Sequence, residues 1–364
     1  MVNSHLKVFI LLFVILFKIN SSFSQRTPEQ EKIISVEQIW DRAGHNAFTD
    51  LVYFNGMFYC VFRESATHKP NQNLDQIVNG SIRMIASKDE QNWTSVAHLF
   101  EKDTDLRDPK LSVTPDNRLM LLMGTSKYEG INLISTQGKV CFFDMKSKEF
   151  SQLQNIHIDN KIRTKRDWLW NITWHNGTAY GVVYQISKNK LNKWATHLVK
   201  SSDGINFNYI TSLELSTSPN EADVKFLNNG KMVIIIRGTP GAIGMSSAPY
   251  KTWDWNPLPV KLGGPELIVI EDDTLICATR EYNAGNANRT ILAKVSLLGD
   301  FEKVLTLPSS GDTSYAGMVI KDGILYISYY SSHEGQSSIY TANSEKGIGK
   351  SNIYFAKVWA DRLK

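Results

Sequence analysis

Short runs of Val, Ile, Leu, Tyr and Phe, broken by Asn-Gly, Asp-Gly or Pro, recur along the chain, while a helical period is scarce. The runs come in pairs: an apolar strand, a polar turn, then a second apolar strand. The pair appears as FTDLVYFNGMFYCVFRE, DPKLSVTPDNRLMLLMG, WNITWHNGTAYGVVYQ, NEADVKFLNNGKMVIIIRG, PELIVIEDDTLICATRE and SYAGMVIKDGILYISYY, six copies in all. After most pairs stands a third strand ending in a polar turn: IRMIASKDEQNW, KVCFFDMKSKEF, THLVKSSDGINF, IGMSSAPYKTW and ILAKVSLLGDF. The last copy continues into SIYTANSEKG or NIYFAKV. Repeats of roughly fifty residues with three or four strands each predict propeller blades, because one such sheet cannot bury both faces alone and must stack on its neighbours. The expected fold is an all-β, six-bladed β-propeller.

The amino-terminal stretch departs from this pattern. MVNSHLKVFILLFVILFKINSSFSQ has Lys7 as a positive flank, an apolar run from Val8 to Phe17, and Ser22-Phe23-Ser24 as a small-x-small cleavage site. The apolar run is about half the ~20 residues a membrane-spanning helix needs. Residues 1–24 are therefore expected to be a secretory signal peptide, and residues 25–364 a single propeller domain that is periplasmic or secreted, with no stable membrane insertion after cleavage. Cys60, Cys141 and Cys277 form no even framework, and each sits in an apolar run, so buried free thiols are expected. A net charge of +4 with interspersed signs is too mild for nucleic-acid binding, and the cluster KIRTKR (Lys161 to Arg166) reads as a solvated loop. The eight histidines show no ligand spacing, so neither a metal nor a cofactor is expected.

Aligning the six copies on their turns gathers the charged residues. The start of the first strand offers Asp50, Arg107 and Asp108, Trp168 and Trp170, Glu221 and Asp223, Glu266, and Tyr315. The end of the second strand offers Arg63, Tyr184, Arg237, Arg280 and Tyr330. Strand ends at one edge of successive blades meet around the propeller axis, so these positions predict a polar, cationic funnel rimmed with tryptophan and tyrosine. Arginine suits a carboxylate, because its planar fork makes bidentate charge-assisted bonds. Tyrosine ionises near pH 10 and becomes a nucleophile when a carboxylate takes its proton. A buried structural ion pair is the plainer reading of Glu221 with Arg237.

At these residues the chain resembles the sialidase superfamily of six-bladed propellers. SKDEQNW (Ser87 to Trp93), SSDGINF (Ser201 to Phe207) and SSAPYKTW (Ser246 to Trp253) are degenerate versions of its surface Asp-box turn. The glutamate of NE followed by a hairpin ending in arginine resembles the catalytic glutamate and second arginine, here Glu221 and Arg237. Arg280 in CATRE resembles the third arginine, and Tyr315 in GDTSYAGMV the nucleophilic tyrosine. The chain departs from the family at HNAFTDLVYF, which lacks the usual first arginine; by repeat position Arg63 takes that place. The resemblance implies an acid/base aspartate in the first blade's loop, ESATHKPNQNLDQIVNG, where Asp75 is the candidate, with Glu64 and His68 as rivals.

The resemblance implies an exported exo-glycoside hydrolase acting on a terminal acidic, sialic-acid-like sugar with retention. Its partner would be an acidic glycan. Tyr315, Glu221 and Asp75 would be catalytic, and Arg63, Arg237, Arg280, Asp50, Arg107, Asp108 and Trp170 would bind substrate. Two alternatives stay open. One is an enzyme of uronic-acid glycans, including a polysaccharide lyase in which Tyr315, His68 or His333 abstracts a proton. The other is a carbohydrate-binding propeller without turnover.

Overall fold

The computed structural model describes residues 27–68, 79–186, 194–283, 287–334 and 350–364. These residues form six sheets, each built on one of the repeated strand pairs and antiparallel apart from the short outer strand His157–Ile158, which pairs parallel with Asn206–Ser212. Blade 1 comprises His45–Phe54, Met57–Ser65, Ser81–Ser87 and Thr94–Leu99. Blade 2 is built on Asp105–Val113, Leu119–Glu129 and Asn132–Asp144, and blade 3 on Trp168–His175, Thr178–Ile186, Trp194–Ser201 and Asn206–Ser212. Blade 4 comprises Ala222–Phe226, Met232–Ile236, Ala242–Ser246 and Asp254–Pro257; blade 5, Glu266–Val269, Leu275–Glu281, Arg289–Val295 and Phe301–Thr306. Blade 6 takes Thr313–Lys321, Ile324–Ser331 and Asn352–Trp359 from the carboxyl end. Its fourth strand is Ile33–Trp40, from the opposite end of the chain. The fold is a six-bladed β-propeller closed by its amino-terminal strand.

The strand alternation explains the stacking. Each sheet presents apolar side chains on both faces, and six apolar clusters fill the six gaps between blades. Between blades 1 and 2, for example, Val61, Ile82 and Met84 meet Leu119, Leu121 and Met123. Burying each such side chain contributes about 1.5–3 kcal/mol. The three cysteines are free thiols buried within these layers. The closing strand escapes a reading by apolar pattern, because its residues are mostly half-buried. NIYFAKV is the third strand of blade 6, and SIYTANSEKG lies outside the described residues.

The first strand of each blade runs along the axis and touches the first strand of the next blade. Polar side chains brace these neighbours. Asp50 accepts a hydrogen bond from the Leu111 amide at 2.6 Å, and Asp223 one from the Leu267 amide at 2.7 Å. In four blades this inner strand is bulged. The register slips between Ala47 and Asp50, Arg107 and Lys110, Leu169 and Ile172, and Ser314 and Gly317. A bulge inserts an unpaired residue and re-aims its side chain. The first bulged residues are Phe48, Asp108, Trp170 and Tyr315. Three of them, Phe48, Asp108 and Tyr315, have the left-handed backbone that side chains rarely adopt, with φ of 58°, 48° and 52°.

Candidate active site

The two inner strands of blade 4 bring the opening and closing charges of NEADVKFLNNGKMVIIIR together. Arg237 Nη1 donates to both carboxylate oxygens of Glu221 at 2.8 Å. The bulge in blade 6 swings Tyr315 over this pair. The Tyr315 hydroxyl donates to Glu221 Oε1 at 3.0 Å and accepts from Arg237 Nη1 at 3.0 Å. The second Glu221 oxygen accepts from the Gly264 amide at 3.0 Å. Gly264 has no side chain for good reason: a Cβ there would lie 2.6 Å from the Tyr315 ring, and its φ is +57°. Phe48 and Trp170, the bulged residues of blades 1 and 3, hold the Tyr315 ring edge-on at centroid distances of 5.1 and 5.5 Å.

The electrostatics keep the phenol neutral at rest. Burial and the Glu221 charge push Tyr315 well above its ordinary value, while Arg237 and Arg280 pull it back. Arg237 is held protonated chiefly by Glu221. Its side chain is 21% exposed, and among the described residues its Nε and Nη2 make no hydrogen bond, so both can meet a ligand. Arg280 lies with its guanidinium carbon 5.4 Å from the centre of the Tyr315 ring. Nε of Arg280 donates to the Thr313 carbonyl at 2.8 Å, and Nη2 to Tyr330 and Asp312 at 2.8 and 3.1 Å.

No family model matches this chain, and no curated protein is similar to it in sequence. Solved structures are similar in fold. A protein of unknown function from Dyadobacter fermentans superimposes with a TM-score of 0.72 at 17% identity, covering 90% of this chain and 98% of that one. The intramolecular trans-sialidase from Ruminococcus gnavus gives 0.62 at 12% identity, covering 92% and 99%. The likeness is one of fold, a propeller shared with a sialidase. An alpha-L-arabinanase from Penicillium chrysogenum matches equally well, with a TM-score of 0.63 at 10% identity over 89% of this chain and 98% of that one. One propeller scaffold thus carries differently named activities, and the chemistry must be argued from the site.

Around the funnel, the other residues expected from sequence separate into two groups. Arg107, Asp108 and Tyr184 keep partial exposure. Arg107 donates to the His68 carbonyl at 3.0 Å and to Asp105 at 2.9 Å. Asp108 accepts no hydrogen bond from the described residues. Burial pushes its carboxyl up to about 7, with Arg107 pulling against and Glu221 adding to the rise. Asp75 lies outside the described residues.

Three expectations need correction. Arg63 is fully buried, with Nε and Nη2 on Asp105 at 2.9 and 2.8 Å, so it braces blade 1 against blade 2 and presents no surface to a ligand. Asp50 is likewise an internal brace, held by the Leu111 amide with Lys110 at 3.9 Å. Trp170 is buried beneath Tyr315 as a wall, not at the rim. Blade 2 covers Arg63 and Asp50, and Tyr315 covers Trp170 from across the axis; sequence register alone shows neither neighbour.

Sequence reasoning missed a second cluster beside the tyrosine. Asp312, three residues before Tyr315, accepts from Tyr330 and Arg280 on Oδ1, at 2.7 and 3.1 Å. Its Oδ2 meets His45 Nε2 at 3.0 Å and His68 Nδ1 at 2.8 Å. Burial works against this carboxylate, but His68, His45 and Arg280 hold it well below the usual range. Burial lowers His45 to about 4 and lowers His68 as well, so both rings are neutral at neutral pH. Among the described residues this is the one histidine–carboxylate group compact enough for a metal ion. Both Asp312 oxygens already have donors and Arg280 adds a cation beside them, so the group reads as a hydrogen-bonded brace for Arg280. Beside Arg280 opens a cavity of about 480 Å³ lined by Lys261, Thr279, Tyr282, Asn283 and Lys303. The buried Tyr282 hydroxyl at its wall has no hydrogen-bond partner among the described residues.

Proposed function

We propose that this protein is an exported, retaining glycoside hydrolase that removes a terminal acidic sugar, with Tyr315 as nucleophile. The observation that carries the reading is the triangle of Tyr315, Glu221 and Arg237, closed by contacts of 2.8–3.0 Å. Glu221 takes the phenolic proton as the Tyr315 oxygen forms a bond to the anomeric carbon. The glycosidic C–O bond breaks, and the departing oxygen takes its electron pair and a proton from an acid at the mouth. Water then attacks the same carbon, gives a proton to that acid's conjugate base, and the tyrosine oxygen recovers its own proton from Glu221. A neutral phenol approaches an anionic sugar without the repulsion a carboxylate would meet, and tyrosine nucleophiles are a known exception to the two-carboxylate scheme.

Arg237 and Arg280 supply the charge for the sugar carboxylate. Arg237 offers Nε and Nη2, and Arg280 offers Nη1, which makes no hydrogen bond among the described residues. The cavity beside Arg280 would accept neighbouring groups of the glycan. Residues 1–24 would direct export.

The test is a panel of acidic glycans with product mass and NMR of the first-formed anomer. Release of a terminal acidic sugar with retained configuration is expected, and Tyr315→Phe should lower turnover by orders of magnitude while binding persists. Inverted product, or undiminished turnover in the Tyr315→Phe protein, would remove the tyrosine from the chemistry. A second reading, proton abstraction from a uronic acid, draws on the His68–Asp312 pair at 2.8 Å. It would produce an unsaturated, ultraviolet-absorbing sugar instead. Tight binding with no product from any glycan would favour a lectin-like role.

A further inference from the structure

We propose that Asp108 is the proton donor of this site, giving its proton to the departing glycosidic oxygen and recovering one from the attacking water. The inference rests on the hydrolase reading above and adds the one group that reading leaves unassigned.

Position comes first. The axial ends of the blades present Tyr315 from blade 6, Phe48 from blade 1, Asp108 from blade 2, Trp170 from blade 3, Glu221 from blade 4 and Gly264 from blade 5. Four of these occupy the same bulge of the inner strand. Asp108 is therefore the blade-2 counterpart of Tyr315, with the same left-handed backbone. The reactive groups alternate around the axis, on blades 6, 2 and 4, and the blades between them carry Phe48, Trp170 and Gly264. The left-handed backbone recurs at three of the four bulges, at Phe48, Asp108 and Tyr315, at a cost on the order of 1–3 kcal/mol each, and strain of this kind clusters at functional sites.

Availability comes second. Every other described carboxylate near the axis is engaged. Asp50 and Asp223 brace neighbouring strands, and Glu266 holds Lys110 at 2.9 Å. Asp105 holds Arg63 and Arg107; Asp312 holds Arg280, Tyr330 and the two histidines. Glu221 is occupied with Arg237 and Tyr315. Asp108 alone among them accepts no hydrogen bond from the described residues, so its oxygens are open to a ligand.

The surrounding charges suit an acid. Burial raises the Asp108 carboxyl to about 7; Arg107 and Arg63 oppose this, while Glu221 and Asp105 reinforce it. Tyr184 faces the same charge. A carboxyl that titrates near neutrality is protonated often enough to donate and weak enough as an acid to take the proton back. His68, by contrast, has its Nδ1 on Asp312 and its ring kept neutral by burial.

The experiment compares wild type, Asp108→Asn and His68→Asn on two probes, the 4-nitrophenyl and methyl α-glycosides of N-acetylneuraminic acid, or of whichever sugar the glycan panel identifies. Nitrophenolate leaves without a proton; methanol needs one. Asp108→Asn should lose roughly 100-fold or more on the methyl glycoside, and far less for the first step on the nitrophenyl glycoside. Added azide should restore the second step by yielding a glycosyl azide, and the alkaline limb of kcat/KM near pH 7 should vanish. Equal losses on both probes with the limb intact would overturn the assignment, and the same signature in His68→Asn instead would move it there. If wild type cleaves no acidic glycoside, the hydrolase reading fails and the acid role with it; if wild type is active, the two outcomes separate.

Discussion

Asp108 makes a prediction about stability as well as chemistry. Its folded pKa is raised from 3.8 to about 7, so the folded protein holds this proton more tightly than the unfolded chain does. The sign follows from proton linkage: the contribution to stability is fully present below pH 3.8 and is lost as pH rises through about 7. Asn keeps the shape without the charge. Asp108→Asn should therefore match or exceed wild-type stability at pH 8, by about 2 kcal/mol at most once partial exposure is allowed for. The gain should shrink toward pH 4. Urea unfolding at the two pH values checks it, and a variant destabilised equally at both would show that the carboxylate is a structural strut. Stability gained where activity is lost is the usual behaviour of a strained functional group. At this scale the sequence was informative about residue types, and Glu221, Arg237, Arg280 and Tyr315 do lie together. It misplaced Arg63 and Asp50 in the substrate site, because their burial depends on the adjoining blade.

The element that positions the tyrosine is a bulged strand packed on a glycine. Thr313–Lys321 reads TSYAGMVIK, an ordinary run of small and apolar residues, so the slip between Ser314 and Gly317 leaves no mark in the sequence. Its consequence is large, because one inserted residue turns a side chain toward the funnel. Gly264 completes the arrangement by letting the Tyr315 ring lie against its backbone while its amide holds Glu221. Gly264→Ala should cost on the order of 1–2 kcal/mol from the positive φ alone. It should also displace the tyrosine and lower turnover at least tenfold, with saccharide binding weakened less. Wild-type turnover in this variant would show that Tyr315 needs no such support. Gly317 plays a related part across the ring, where a Cβ would meet the Leu51 amide at 2.2 Å, so blades 6 and 1 approach closely beneath the site.

The whole ring depends on a strand contributed from far along the chain. Ile33–Trp40 pairs with Asn352–Trp359, and Gln38 accepts a hydrogen bond from Asn352 at 2.6 Å. Trp40 donates to Glu64 at 2.6 Å, tying the closure to blade 1. Removing residues 27–40 would leave Asn352–Trp359 as an open edge and uncover Phe62 and Ile353, which pack with Trp40. Such an edge invites pairing with other chains. The truncated protein should aggregate or be cleaved rapidly by protease, even though no proposed catalytic residue is touched. A monomeric truncated protein with an unchanged urea midpoint would show that the other blades suffice. Among the described residues no helix is long and apolar enough to cross a membrane.

The alternation of apolar and polar residues determined the strands, their pairing into hairpins and the sixfold repetition, because a half-buried strand records its two faces locally. The order of glutamate, arginine, arginine and tyrosine along those hairpins was equally legible. Which of these groups meet solvent and which meet one another was decided by the tertiary structure. His45, His68 and Asp312 come from the inner strand of blade 1, the loop after its second strand, and the start of blade 6; nothing local joins them. Asp108 reads as an ordinary strand-end carboxylate until the bulge aligns it with Tyr315 and the neighbouring blades engage every other described carboxylate near the axis. Strand identity is a property of nearby residues, whereas burial and charge at the axis are set by six blades at once.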